Sequence, residues 1–365
     1  MIVCYNDSIM NHISSLRSYF GLESQYENNV RMNALLKDKT PSKIYLFLID
    51  GMGANLIERK LKEDSFLRRH LAFKTSTVFP PTTTAATTSI LTGDSPNRTG
   101  WLGWIQYFKE VDNEVIPFLD KGFFDHQDYG AGFVMEKLPI APMYDELLQK
   151  GIKASSIYPS FRDPDCKTFS DKVNKLLSYD ANDQYRFVYI YEDQYDRLMH
   201  LNGPDSDIAD DYLQMVNDEL EKLANSLSSD ALLLVTADHG QVAVKETFNI
   251  RHSKFDKYLR QRPDIEPRAM AFFIKEGMEE EFAREFVEEF EDRFILLSRE
   301  QVLATHLFGD GENHKRLNEF IGDYLAIAKA NTVLAYEEKI TVTSKGQHAG
   351  MTSDELIIPI IAYKK

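Results

Sequence analysis

Five side chains that can bind metal stand just past three apolar runs of the chain. Asp50 follows directly on the run at residues 44–49. Asp238 and His239 follow the run at 231–235 after a Thr-Ala step, and Asp196 and His200 come soon after the run at 187–191. Asp196 and His200 are four positions apart, so one helical turn puts both on the same face. Asp238 and His239 are adjacent, which sends their side chains in different directions and suits bridging or flanking ligation. Three acidic groups brought to one edge of a sheet repel one another unless cations sit between them. Mixed carboxylate and imidazole ligation suits Zn2+, with Mn2+ or iron as alternatives. Each piece alone has an ordinary explanation: Asp50-Gly51 as a turn, Asp196 with His200 as a surface pair or a helix cap. Asp238 tells more, because a charged residue closing so apolar a run needs a partner. Together, in one chain and at run ends, these residues outweigh the ordinary explanations.

A hydroxyl-rich segment, residues 79–93, adds a candidate nucleophile. Residues 73–79 read as a strand and 85–91 as a helix, with threonines at the helix start. A helix N-terminus presents unpaired N–H groups and the positive end of the helix dipole, which favours phosphate. The ordinary role for these threonines is capping. A hydroxyl is a poor nucleophile at neutral pH, and metal coordination is one way to activate it.

The elements that must position these groups alternate between strand-like runs and helical patterns. The runs at 44–49, 187–191, 231–235 and 357–361 are apolar on both faces, as in strands buried between helix layers, and predict a mostly parallel sheet. In such a sheet the site lies beyond the carboxyl ends of the strands. Pro359 places the last run at a sheet edge. Residues 207–227 and 279–294 carry apolar side chains at helical spacing, the second as Phe282, Phe286, Phe290 and Phe294, a stripe that reads as packing. Two segments, 101–144 and 250–343, interrupt the rhythm and read as insertions capping the functional edge of one α/β domain spanning 1–365.

Composition bounds the function. Of 365 residues, 43% are hydrophobic and 27% charged, which is ordinary for a globular protein. A net charge of -15 argues against a nucleic-acid polymer as partner, because phosphate neutralisation needs clustered Lys and Arg. It leaves room for a small anionic substrate, since bound metals reverse the local field. Cys4 and Cys166 alone cannot form a disulfide framework. The start of the chain shows no signal-peptide pattern and no run is long enough to span a bilayer, so the expectation is a cytoplasmic protein with no membrane partner.

These residues resemble the alkaline phosphatase superfamily, most closely its nucleotide pyrophosphatase/phosphodiesterase branch. Asp50 in Leu48-Ile49-Asp50-Gly51-Met52-Gly53 looks like the first ligand, and residues 79–93 look like the nucleophile segment, with Thr83 at the nucleophile position. Asp196 with His200, then Asp238-His239-Gly240, then His348 in Gly346-Gln347-His348-Ala349-Gly350 follow in the family's order. The resemblance implies an alkaline phosphatase-like α/β sandwich with two divalent metal ions, usually zinc. Asp50, Asp238 and His239 would hold one, which also binds the Thr83 oxygen, and Asp196, His200 and His348 the other. It implies hydrolysis of a small phosphate ester or nucleotide through a phospho-threonine intermediate, with paired metals roughly 4 Å apart clamping the attacking and leaving oxygens.

The chain departs from that pattern in places. Diesterases of this type carry an Asn about twenty residues after the nucleophile, where this chain has Trp104, and the usual Asn and His just after the nucleophile are Ala86 and Thr87. Trp101 and Trp104 are candidates for stacking on a substrate ring, and Arg98 for binding phosphate. Phosphomonoesterases and phosphosugar mutases of the superfamily share much of the ligand set and are the alternative reading. A non-catalytic, metal-stabilised binding protein is the alternative of another class, and the retained Thr83 argues against it.

Overall fold

The computed structural model describes residues 5–338 and 344–365. Its central sheet has six strands: β1 (Lys43–Ile49), β2 (Leu71–Ser76), β3 (Ala154–Ile157), β4 (Phe187–Glu192), β5 (Ala231–Thr236) and β6 (Ile357–Tyr363). Their spatial order is β2-β6-β5-β1-β4-β3. β3, β4, β1 and β5 run parallel. Every residue of β1, β4 and β5 is buried, which is why their sequences are apolar on both faces. Helices flank the sheet, among them Phe169–Ala181 and Asp207–Ser226, the latter starting on a Ser206 side-chain cap. The fold is therefore the expected mostly parallel α/β arrangement.

The last strand is a correction. β6 is not at an edge; it lies between β2 and β5 and is antiparallel to both. Pro359 is tolerated because its pairing with Lys74 lies outside the β5 ladder, which begins one residue later at Ile360 and Thr236. Its carbonyl still works, accepting the Thr236 hydroxyl at 2.8 Å.

The segment at 101–144 holds a small antiparallel sheet of Gln106–Phe108, Asn113–Ile116 and Lys121–Gly122. The segment at 250–343 is described as far as Glu338, and its end lies outside the described residues. It contains a four-stranded sheet (Asp264–Glu266, Ala269–Phe272, Phe294–Ser298, Tyr324–Ala328) backed by helix Glu279–Phe290. Phe282, Phe286 and Phe290 from that helix, with Phe294 from the next strand, make a small core of their own, so the stripe is packing. The two segments touch through a bridge between Ile105 and Ile265 and an ion pair of Arg262 with Glu114.

One ion pair ties the second segment to the sheet. Arg268 meets Glu355 at 2.6 and 2.8 Å, with both side chains fully buried. Glu355 also accepts the Gly350 N–H at 2.7 Å, and its carbonyl accepts the Gly240 N–H at 2.9 Å. It thereby fixes the loops that follow His239 and His348. Breaking a buried pair strands the remaining charge, so Arg268→Ala should cost about 3–5 kcal/mol, read as a lower urea midpoint. Lys109→Ala, which removes an exposed partner of Glu319, should leave the midpoint nearly unchanged.

Candidate active site

Three strand ends deliver the site. Asp50 follows β1, helix Gln194–Asn202 begins just past β4 and carries Asp196 and His200 one turn apart, and Asp238-His239 follow β5. Two glycines make the convergence possible. Gly51 has φ +74°, and a Cβ there would sit 2.8 Å from Met199 and 3.1 Å from the Asp196 carboxylate. A Cβ on Gly240 would lie 2.1 Å from the Asp354 carbonyl oxygen.

The side chains meet. His239 Nε2 lies 3.2 Å from Asp50 Oδ1 and 3.6 Å from Asp238 Oδ2. His200 Nε2 is 3.2 Å from Asp196 Oδ2, and His348 Nε2 is 4.0 Å from Asp196 Oδ1. The His239 and His348 rings stack with centroids 3.9 Å apart, and the His200 ring is 5.1 Å from that of His348. Two overlapping groups have ligand atoms within 4.8 Å of one another: Asp50, Asp238 and His239, and Asp196, His239 and His348. The first is the trio expected for one metal. In the second, His239 stands where His200 was expected, with His200 alongside on Asp196.

The donor set fits divalent cations. The Nδ1 atoms of His200, His239 and His348 face backbone carbonyls of Gly346 (2.8 Å), Gly240 (3.1 Å) and Pro81 (3.2 Å). A carbonyl only accepts, so each ring carries a proton on Nδ1 and turns its Nε2 toward the carboxylates, where it can hold either a proton or a cation, the orientation that metal-bound histidines take. Asp238 is fully buried, and its Oδ2 has no hydrogen-bond partner among the described residues. Burial, then the Asp50 charge, push the Asp238 carboxyl well above its usual range. Burial, then the Asp196 charge, raise Asp50. For His239 burial works downward, but Asp238 and Asp50 overcome it and lift the imidazole to about 10. The space between these carboxylates thus draws positive charge strongly, and a bound cation would take the place of a proton there.

Thr83 opens helix Thr83–Thr92. Its hydroxyl lies 3.3 Å from Asp50 Oδ2 and 3.3 Å from His239 Nε2. It is half-buried, whereas Thr82, Thr84, Thr87 and Thr88 are buried. The expected capping role is not used: Thr82 at the cap position makes no cap bond and gives its hydroxyl to Glu266. The first-turn N–H groups therefore keep their capacity for an anion.

The remaining candidates separate. The Trp104 N–H donates to Glu266 at 2.8 Å, placing that residue beside the nucleophile turn. Trp101 is a correction: it is buried, its indole N–H donates to Leu138 at 3.0 Å, and its ring packs on Phe118, so it cannot stack on a substrate. Arg98, on the short helix Pro96–Thr99, is held at 2.9 Å by Asp94, which lies just before that helix. Three contributors carried no motif. Tyr191 donates its hydroxyl to Asp50 Oδ2, Gln241 donates its amide to Asp196 Oδ1, and Glu266 reaches in from the second segment. Gln241 follows Asp238-His239-Gly240 directly, the one positional clue available.

The family model for type I phosphodiesterase / nucleotide pyrophosphatase matches residues 45–352. The chain belongs to this family. It is therefore placed among phosphoester hydrolases. A comparison with curated proteins finds no match. Among solved structures, an inactive variant of murine ectonucleotide pyrophosphatase / phosphodiesterase 5 in complex with AMP is similar, with TM-score 0.68 and 16% identity over 88% of each chain. The human protein of that name gives TM-score 0.67 at 16% identity, covering 88% of this chain and 87% of its own. Phosphonoacetate hydrolase from Sinorhizobium meliloti, bound to phosphonoformate, gives 0.62 at 15% identity, covering 88% and 90%. At such identities the likeness concerns the fold.

If cations relieve this crowding, they bind the folded chain far better than the unfolded one. After chelation, adding Zn2+ at about 100 times its dissociation constant should stabilise the fold by about 2.7 kcal/mol, read by thermal unfolding. Asp238→Asn should lower the zinc retained per chain, measured by elemental analysis. An unchanged melting temperature on chelation would count against metal binding.

Proposed function

We propose that this chain is a metal-dependent phosphodiesterase of the nucleotide pyrophosphatase type, acting through a phospho-threonine at Thr83. The observation that carries the reading is the Thr83 hydroxyl. It is the half-buried member of a run of buried threonines, at an uncapped helix N-terminus, within 3.4 Å of both Asp50 and His239. The inactive murine variant is a threonine-to-alanine change, which supports a threonine nucleophile here.

Two divalent cations, zinc before manganese, would be held by Asp50, Asp238 and His239 and by Asp196, His200 and His348. Bound there they would supply the positive charge that activates a hydroxyl and offsets charge on phosphoryl oxygens. The chain's own groups do the rest. Asp50 orients the Thr83 hydroxyl through the contact at 3.3 Å. The free N–H groups of the first helical turn hold non-bridging phosphoryl oxygens. The Thr83 oxygen forms a bond to phosphorus as the bond to the leaving oxygen breaks, and water then cleaves the phospho-threonine and restores the hydroxyl. A capping role for the two inserted segments is supported by Glu266, which takes both the Thr82 hydroxyl and the Trp104 N–H.

A diester fits better than a monoester because Arg98, the candidate from the sequence for a second phosphoryl charge, is paired with Asp94. The test compares bis(4-nitrophenyl) phosphate with 4-nitrophenyl phosphate after zinc loading. Thr83→Ala should reduce diester turnover to background with zinc content unchanged, and Thr83→Ser should retain part of it. Full activity in Thr83→Ala would remove the nucleophile. Faster turnover of the monoester would transfer the chain to the phosphomonoesterases.

A further inference from the structure

A cavity of about 120 Å³ opens between the two inserted segments. It shares walls with the active site on both sides. Glu266 lines it and accepts the Thr82 hydroxyl, one residue before Thr83. Across from it, Ser344 and Gln347 also line it. The Ser344 hydroxyl lies 3.1 Å from His200 Nδ1, and Gln347 Oε1 accepts the His348 N–H at 3.4 Å. A phosphoryl group held at Thr83 would therefore point one ester arm into this space.

The chemistry of the walls narrows what that arm is. Phe123, Phe124, Val333 and Tyr336 supply an apolar lining. The volume is close to the roughly 150 Å³ of an apolar cavity that accepts benzene, so the space takes one ring. Among the described residues the charged side chains lining it are all acidic: Asp264, Glu266 and Glu337. Two guanidinium groups stand over lining rings, Arg262 over Phe124 at 4.5 Å and Arg251 over Tyr336 at 5.4 Å; they are paired with Glu114 and Glu338, and neither lines the space. Asp264 is 2% exposed, its Oδ2 takes the Tyr107 N–H at 2.9 Å, and its Oδ1 has no partner among the described residues. A buried carboxyl oxygen without a partner is costly unless a ligand supplies the donor.

We infer that this cavity seats the leaving group of the substrate and selects a ring-sized group that carries a hydrogen-bond donor and no negative charge. The inference rests on the phosphodiesterase reading for the direction of the ester arm. An anionic leaving group would be stripped of water beside three acidic side chains, a like-charge placement that costs heavily in specificity. Among the substrates open to an enzyme of this type, the cavity thus favours diesters with an alcohol or phenol leaving group over pyrophosphates, whose leaving group is itself a phosphate.

The test uses two methyl aryl phosphodiesters of one shape, with 4-carbamoylphenyl or 4-carboxyphenyl as the leaving group. Each enzymatic rate is divided by that for hydroxide hydrolysis, which removes the difference in leaving-group acidity. In the zinc-loaded wild type the carbamoyl ester should be preferred in kcat/KM by at least about tenfold. Asp264→Asn should reduce that preference, and Ala335→Phe, which fills the cavity from a wall away from Thr83, should raise KM for the carbamoyl ester. Binding of benzamide, followed by saturation-transfer NMR, should be present in wild type and lost in Ala335→Phe. Diester turnover with no preference in wild type and no benzamide binding would overturn the cavity assignment while leaving the phosphodiesterase reading intact. Benzamide binding lost in Ala335→Phe, with no diester turned over in wild type, would keep the cavity and overturn the phosphodiesterase reading.

Discussion

Crowded negative charge at the ends of three parallel strands is the constraint that the structure answers to. Asp50 and Asp238 are buried, and their ligand atoms lie within 4.8 Å of each other, with Asp196 joined to them through His239. Two like charges about 4 Å apart repel by about 4 kcal/mol at an effective dielectric constant of about 20. Hydrogen bonds from Tyr191, Gly51 and Gln241 soften this, but each adds only about 1–3 kcal/mol when it serves a charged group. Together such bonds are of the order of one such repulsion, but they leave the cost of burying several charges unmet. The three imidazoles complete the answer, since each has its Nδ1 tied to a backbone carbonyl and its Nε2 turned inward. That arrangement uses three backbone carbonyls to orient the rings toward the carboxylates, as the rings of metal-bound histidines are oriented.

The surrounding structure keeps other acids out of the crowd. Glu192 ends β4, four residues before Asp196, and could have added a fourth charge. Instead Lys172 pairs with it at 2.8 Å, with both side chains nearly inaccessible, and Tyr212 and the Gln194 N–H take its other oxygen at 2.7 and 2.9 Å. Glu355 is neutralised in the same way by Arg268. Glu192 and Glu355 each have a dedicated cation, whereas Asp50, Asp196 and Asp238 have neutral donors and the three imidazoles and no Lys or Arg among the described residues.

Much of this was legible from residue types alone. The buried runs announced β1, β4 and β5 because strands covered on both faces have no polar face to show. Asp50, Asp196, Asp238 and His239 stood out as candidates because they sit where those runs stop or just beyond, whereas His348 came only with the family resemblance. Position in the sheet was less legible: Pro359 argues for an edge on average, yet its local register spares it the one ladder it would break. Tyr191 was hidden because it ends an apolar run and looks like one more core residue, although its hydroxyl faces Asp50. Glu266 was hidden for a different reason, since it lies 183 positions beyond Thr83 in the sequence and nothing local marks it. Trp101 misled because an aromatic residue in an insertion suits stacking and packing equally, and only its contacts decide.

The run Thr82-Thr83-Thr84 shows how burial assigns chemistry among identical side chains. Thr84 turns inward, where its hydroxyl has no partner among the described residues. Thr82 is buried too, but its hydroxyl is taken by Glu266, and so it is withdrawn from capping the helix. Thr83 is left facing the ligands with the helix N–H groups open beside it. The Glu266 bond therefore does two things at once: it takes the Thr82 hydroxyl away from the helix end, and it fastens the second segment to the turn that carries Thr83. Because Glu266 also lines the cavity between the segments, the wall of that cavity and the start of the Thr83 helix are joined through one side chain.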